Sequence, residues 1–291
     1  MSSDSDLLRH AAVWTALSLA GACAQAPHAP LGEAAPPQPD LLRVCADPNN
    51  MPFSNDRGEG FENRIAGIVA DEMHMRIAYT WWPQRRGFVR NTLKEGKCDL
   101  VMGVPAHYEL VSTTRPYYRS TYVFVTRHDR GLDLRSFDDE RLRELRVGLH
   151  TIGDDYNNVP PAQALAWRSI VGNIHGYPIQ GDYSQPDPPR ALMDAVARDE
   201  IDVALAWGPL AGYFAQHEPV ALDIVPVAPQ LDHGMLPMFF DIAMGVRRGD
   251  TALRDRVQDA LDHRQGDIAA VLRAYGVPLL SLPVPPVARK E

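Results

Sequence analysis

The chain has 291 residues, 45% hydrophobic and 23% charged, an ordinary globular composition and enough length for two lobes with separate cores. Lys and Arg total 29 against 37 Asp and Glu, and the formal net charge of −8 argues against nucleic acid as the main partner. Residues 1–24 read as an export signal: Arg9 and His10 precede an apolar run, Ala11 to Ala22, too short to span a bilayer. Ala22-Cys23-Ala24 offers small residues for cleavage near Ala24, with lipidation of Cys23 and a ragged, non-exported terminus as alternatives. Residues 25–40 are rich in Pro and Ala and predict an unstructured leader.

Leu42 to Ala46 is short, apolar and β-prone, which predicts a strand. Asp47-Pro48-Asn49-Asn50 breaks it, and after a polar segment Ile65, Ile68, Val69 and Met73 recur at helical spacing. A strand, a polar loop and an amphipathic helix open a parallel α/β unit whose ligand side lies beyond the strand's carboxyl end. The loop from Asp47 to Asn55 is therefore the first candidate site. Further strands are predicted over Arg76–Trp82, Asp99–Gly103 and Tyr117–Thr126, with a short helix marked by Val89 and Leu93 and ended by Gly96.

A second cycle begins with a strand over Arg146–Leu149. Pro160 and Pro161 open a helix carrying Leu165, Ala166 and Ile170, and Pro189 opens another carrying Leu192, Met193, Val196 and Ala197. Strands Ile201–Trp207 and Leu222–Val227 flank a helix with Leu210, Tyr213 and Phe214. After the strand Phe240–Val246, Asp250 caps a helix with Leu253, Val257 and Leu261, and a last helix carries Ile268, Leu272 and Tyr275 before Gly276 and Pro278. No internal repeat of fixed period is visible. Strands alternating with helices predict parallel pairing, with helices on both faces. The two closing helices need a surface; packing them on the first lobe makes the chain cross between lobes twice, which forms a hinge.

Cleavage of the leader leaves Cys45, in the first strand, and Cys98, beside the strand Asp99–Gly103. An even count in an oxidising compartment invites a disulfide if those strands are neighbours, two buried thiols being the alternative. No metal or cofactor site is read. The segment from Asp56 to Glu62 has glycines where a calcium loop needs carboxylates, and the ten histidines make no zinc-spaced cluster. The turn Gly153 to Asn158 could hold an anion at a helix start. There is no G-x-S-x-G elbow, and His107 with Glu109 is the sole loop pair considered for acid–base chemistry.

The runs LRV-x-AD, GFENRIA and CDLVMG resemble the type II periplasmic solute-binding proteins, family 3, over about residues 40–280. Within them, CADPNNMPFSNDRGEGFENRIA, TWWPQRRGFVRNTL and RPYYRSTYVFVTR are similar to the branch associated with quinoprotein methanol and alcohol dehydrogenases. The resemblance implies an α/β fold with two lobes, central mixed sheets and two crossover hinge strands. Expected boundaries are 41–126 and 240–284 for lobe 1, 127–239 for lobe 2 and 285–291 for a tail. It also implies an exported, periplasmic, non-catalytic and cofactor-free accessory protein. Its implied partners are a quinoprotein (PQQ) alcohol dehydrogenase and that enzyme's cytochrome c.

Amino-acid binders of the parent family grip the ligand's carboxylate with an arginine just past a G-x-[ST] turn, using bidentate guanidinium geometry. Here the turn is Gly103-Val104-Pro105 with no arginine before Arg115, and Trp207 stands where the second lobe supplies an aspartate. Free amino acids are therefore not expected. The expected cleft residues are Asp47, Asn50, Phe53, Trp82, Arg86, Gly103, Pro105, Thr151, Gly153 and Trp207, with Arg86 beside Trp82 suited to an anionic or planar group. A packed strand end for Trp82 and a solvated pair for Arg85-Arg86 are the bland alternatives. The competing function is an importer-linked receptor for a small anionic solute.

Overall fold

The computed structural model describes residues 40–152, 159–180 and 185–282. The predicted signal, residues 25–39 of the leader, the 153–158 turn and the tail lie outside the described residues.

The chain opens with β1 (Leu41–Ala46) and a small hairpin, β2 (Asn49–Asn50) with β3 (Ser54–Asn55), inside the loop that the sequence marks as irregular. There follow α1 (Phe61–Glu72), β4 (Arg76–Trp81), the single turn α2 (Phe88–Asn91), β5 (Leu100–Pro105), β6 (Ser112–Thr113) and the long β7 (Tyr118–Arg127). The second cycle holds β8 (Val147–Thr151), α3 (Pro160–Trp167), β9 (Ile174–Pro178), α4 (Ala191–Ala197), β10 (Val203–Trp207), α5 (Gly208–Ala215) and β11 (Leu222–Pro226). A second hairpin, β12 (Leu231–Asp232) with β13 (Leu236–Pro237), precedes β14 (Phe239–Val246), α6 (Thr251–His263), α7 (Gln265–Ala274) and β15 (Leu279–Leu280). Asp250 caps α6 by accepting the Leu253 N–H at 3.2 Å.

One sheet runs through the molecule in the order β4-β1-β5-β14-β7-β10-β8-β9. The expectation of parallel pairing holds within each half, where β1 lies between β4 and β5 and β8 between β9 and β10. It fails at the centre. β14 is antiparallel to β5 and β7, and β7 is antiparallel to β10 and β11, because strands that return between the halves run opposite to their neighbours. The result is the mixed, two-lobed type II binding fold.

One core gathers Leu42, Phe61, Ile65, Leu100, Met244, Leu261 and Leu272, so α6 and α7 cover the lobe that holds the chain's start. The other half is filled by two clusters, one around Phe124, Phe137 and Leu165 and one around Val125, Leu192 and Phe214. Both halves use the same charged staple. Asp99, just before β5, accepts the Arg43 N–H and its guanidinium, while Asp202, just before β10, does the same for Arg146. The sequence separation is 56 in both cases, so L-R-V followed by an Asp is a twice-used unit that a search for fixed periods misses. The guanidiniums pull Asp202 down to about 2, and arginine hydrogen bonds likewise hold Asp99 below the usual carboxylate range against the opposing effect of its burial.

Cys45 and Cys98 are disulfide bonded, their Cα atoms 5.5 Å apart, because β1 and β5 are parallel neighbours. The bridge closes a sequence separation of 53, for which loop entropy contributes about 4 kcal/mol of stability. The Cys45→Ser/Cys98→Ser double variant is expected to lose stability of that order in urea unfolding, and added reductant should then no longer change its midpoint.

Candidate functional site

The loop after β1 is fastened before it can serve as a wall. The Phe61 and Glu62 N–H groups at the start of α1 donate to the carbonyls of Pro52 (2.8 Å) and Phe53 (2.9 Å). That approach requires a glycine at 60, since a Cβ there would collide with the Phe53 carbonyl. Asn63 Oδ1 accepts the N–H groups of Gly60 and Asn55, each at 3.1 Å, completing the cap. Asp47 is buried, and its carboxylate accepts the N–H groups of Asn49 (2.8 Å) and Gln84 (2.6 Å), tying the loop after β1 to the loop after β4.

These loops border a cavity of about 290 Å³. Asp47, Asn49, Asn50, Phe53, Glu62, Gln84 and Gly103 line it from the first half of the chain, with Tyr118 of β7 and Ile242 of β14. Ile152, Ile179, Gln180, Pro188 and Trp207 line it from the other half. Trp207 ends β10 and packs its ring against Tyr122 and Phe240, with centroids 5.4 and 5.7 Å apart. Three hydrogen bonds with a side-chain partner cross the mouth among the described residues, one of them from the Asp187 N–H to Asn49 Oδ1 at 3.3 Å. Asn49 Nδ2 donates to the Gln185 carbonyl and Gln180 Nε2 to the Gln84 carbonyl, both at 2.8 Å. His150 secures the segment behind Pro188 by donating from Nε2 to the Pro189 carbonyl at 3.0 Å, and burial lowers its pKa to about 4, which keeps the ring neutral.

Of the sequence-derived cleft residues, Asp47, Asn50, Phe53, Gly103 and Trp207 meet at this cavity. Trp82 and Arg86 are exposed and stand off its lining; Lys97 lies over the Trp82 ring, 4.9 Å from the centroid. Pro105 is exposed at the end of β5, where it pairs with Ile242. Thr151 ends β8 and places its neighbour Ile152, rather than itself, on the lining. Gly153 lies outside the described residues. His107 and Glu109 fall in the loop after β5, away from the cavity. Arg115, the first arginine past the Gly103 turn, pairs with Asp262 on α6, and its N–H donates to Gln258 at 2.6 Å, so it is committed to the outer helix layer.

Sequence reading missed Glu62. It follows Phe61 at the start of α1 and packs its carboxyl over Gly103, the residue whose missing side chain leaves room for it. The signal was present in a glycine at a strand end facing the first turn of the helix. Glu62 is half-buried and lines the cavity, and no described residue bonds or pairs with its carboxyl. Burial pushes its pKa up to about 8. Among the described residues no group of three or more His, Cys, Asp or Glu is placed to hold a metal ion, and no helix is long and apolar enough to cross a membrane.

A two-lobed α/β fold with a side-chain-lined cavity at the carboxyl ends of its strands defines a binding protein. The chain matches the bacterial extracellular solute-binding proteins, family 3, over residues 42–276, and belongs to that family. Protein MoxJ of Methylorubrum extorquens is 35% identical over 255 residues, 85% of this chain and 84% of the relative. The crystal structure of the periplasmic binding protein XoxJ from Methylobacterium extorquens AM1 is 39% identical, with a TM-score of 0.69 over 83% of this chain and 100% of that one. The crystal structure of MxaJ from Methlophaga aminisulfidivorans MPT is 29% identical, also with a TM-score of 0.69, over 82% of this chain and 100% of that one.

Glu62 makes the site's pH signature testable. A carboxyl whose pKa is raised on folding contributes stability below its unfolded value and loses it as pH rises through the folded one. Stability should fall between about pH 4.5 and about pH 8, by at most about 1.4 kcal/mol per pH unit. Glu62→Gln should flatten that interval in urea titrations across pH; an unchanged slope would show that the carboxyl ionises freely.

Proposed function

We propose that this chain is an exported, periplasmic accessory protein of a quinoprotein methanol or alcohol dehydrogenase, acting in its assembly, its activation or the delivery of a component. The cleft then holds part of a partner rather than a free amino acid. The observation that carries the reading is the cavity lining: it holds no arginine to clamp a carboxylate, and the end of β10 brings the Trp207 ring to it rather than a carboxylate, while Arg115 is bound to Asp262 and Gln258 and Pro105 has no N–H. The likeness to MoxJ and XoxJ along nearly the whole folded chain supports the same branch of the family. A receptor for a small anion suits the cavity poorly, because two carboxyls and no Arg, Lys or His are on its described lining.

The test sets partner against solute. The purified quinoprotein dehydrogenase should raise the melting temperature of this chain by several degrees and give a larger particle in solution scattering, whereas a panel of small anionic and zwitterionic metabolites should leave both unchanged. A several-degree rise from one metabolite, with none from the dehydrogenase, would make it a solute receptor.

A further inference from the structure

The cavity is chemically one-sided. Its described lining carries the carboxyls of Asp47 and Glu62, the carboxamides of Asn49, Asn50, Gln84 and Gln180, three aromatic rings and no cationic side chain. Nor do residues 153–158 and 181–184, outside the described set, contain Arg, Lys or His in their sequence. The two carboxyls are in different situations. Asp47 is engaged by the main chain through the N–H groups of Asn49 and Gln84. Glu62 has no such partner, and a carboxyl desolvated by burial has two acceptable states, protonated when alone or ionised against a cation.

Size narrows the occupant. At about 290 Å³ the cavity lies at the small end of ligand-pocket sizes, room for a side-chain-sized group. The aromatic residues Phe53, Tyr118 and Trp207 share the same lining, and aromatic rings attract a desolvated cation. We infer that the cavity binds a protonated amine or a guanidinium group, held by the Glu62 carboxylate and flanked by these three rings. The inference rests on this cleft being the binding site, and it names the chemistry the cleft selects.

Binding is then coupled to a proton. The Glu62 carboxyl releases its hydrogen to the buffer as the cation enters, and the pair formed is carboxylate and ammonium or guanidinium. The titratable groups facing Glu62 are Asp47 from the loop after β1, Tyr79 from β4 and Tyr117 and Tyr118 from β7. Burial raises all three tyrosines, so their hydroxyls stay neutral throughout. From α6 and α7, His263 and the neighbouring Arg264 meet α1 only at Glu72, about 15 Å along the helix from Glu62.

The experiment is calorimetry on the full exported chain with n-butylamine, n-butylguanidinium, N-acetyl-lysine amide and butyrate, at pH 6 and pH 8, in phosphate and in sulfonate buffers (MES at pH 6, HEPES at pH 8) of different ionisation enthalpy. Saturable binding of the cations, at least tenfold tighter at pH 8, with about one proton released at pH 6 and about half that at pH 8 and no response to butyrate, is expected. Glu62→Gln should abolish the pH dependence and weaken the cations at pH 8 at least tenfold. Gly103→Ala, which keeps the carboxyl but drives it from its place, should also weaken them. Butyrate binding as well as butylamine, cations that fail to bind at either pH, or a Glu62→Gln chain that binds them unchanged would each overturn the inference. The dehydrogenase distinguishes the sources: a complex weakened by Glu62→Gln and competed by n-butylguanidinium assigns the cation to a basic side chain of that enzyme. A complex indifferent to both, with the free amines still bound, assigns it to a small amine. Cation binding without any dehydrogenase complex would sink the accessory-protein reading and leave this one standing.

Discussion

Two strands carry the chain between its halves, and one ion pair fixes how they lie against each other. β7 pairs with β14 from Tyr118 to Thr121 and with β10 and β11 from Tyr122 onward, so a single strand belongs to both halves of the sheet. Arg119 stands opposite Asp241 in that register, and its guanidinium forks onto the carboxylate at 2.6 and 2.7 Å. The next pair along is Tyr118 with Ile242, both on the cavity lining. Because alternate residues face opposite sides of a strand, a slip of one position would bury the charges and turn both lining residues away. The Arg119–Asp241 fork thus sets the geometry of the cleft from outside it.

Main-chain groups do most of the remaining positioning. The carbonyls of Pro52 and Phe53 receive the free N–H groups of α1, the Asp47 carboxylate receives those of Asn49 and Gln84, and Met51 in the same loop is buried in a core of the other half. A loop tied at this many points behaves as a rigid wall, although it has only two short bridges of regular structure. The open side of the site is left to the Glu62 carboxyl and the amides, groups that can respond to an occupant.

Strand ends were readable because their boundaries carry chemical marks. Asp47 follows β1, Gly103 lies in the carboxyl-terminal half of β5, which runs on to Pro105 where the sequence reads a turn, and Trp207 precedes the Gly208-Pro209 start of α5; each lies on the cavity because strands of this kind end there. Residues inside elements were not readable. Tyr118, Ile242 and Glu62 reach the cavity through register and helix facing, which pattern alone leaves undetermined. The edge strand β9 escaped for another reason: Ile174–Pro178 is largely exposed and contains Gly and Pro, so it lacks the alternation that marks a half-buried strand. The hinge strands looked like ordinary members of a parallel sheet because direction of pairing leaves no trace in composition, and the repeated Arg–Asp staple escaped because its copies share only L-R-V and an Asp 56 residues past the arginine.

The hydrogen bonds across the mouth have an asymmetry with evolutionary weight. Asn49 Oδ1 takes the Asp187 N–H, while the two side-chain donors, Asn49 and Gln180, both meet peptide carbonyls, at Gln185 and Gln84. Every residue type presents that oxygen, so positions 84 and 185 can drift among descendants without unfastening the rim, while the two amide donors cannot. Related chains could thereby exchange the surface they show to a newcomer at the entrance and keep the same catch.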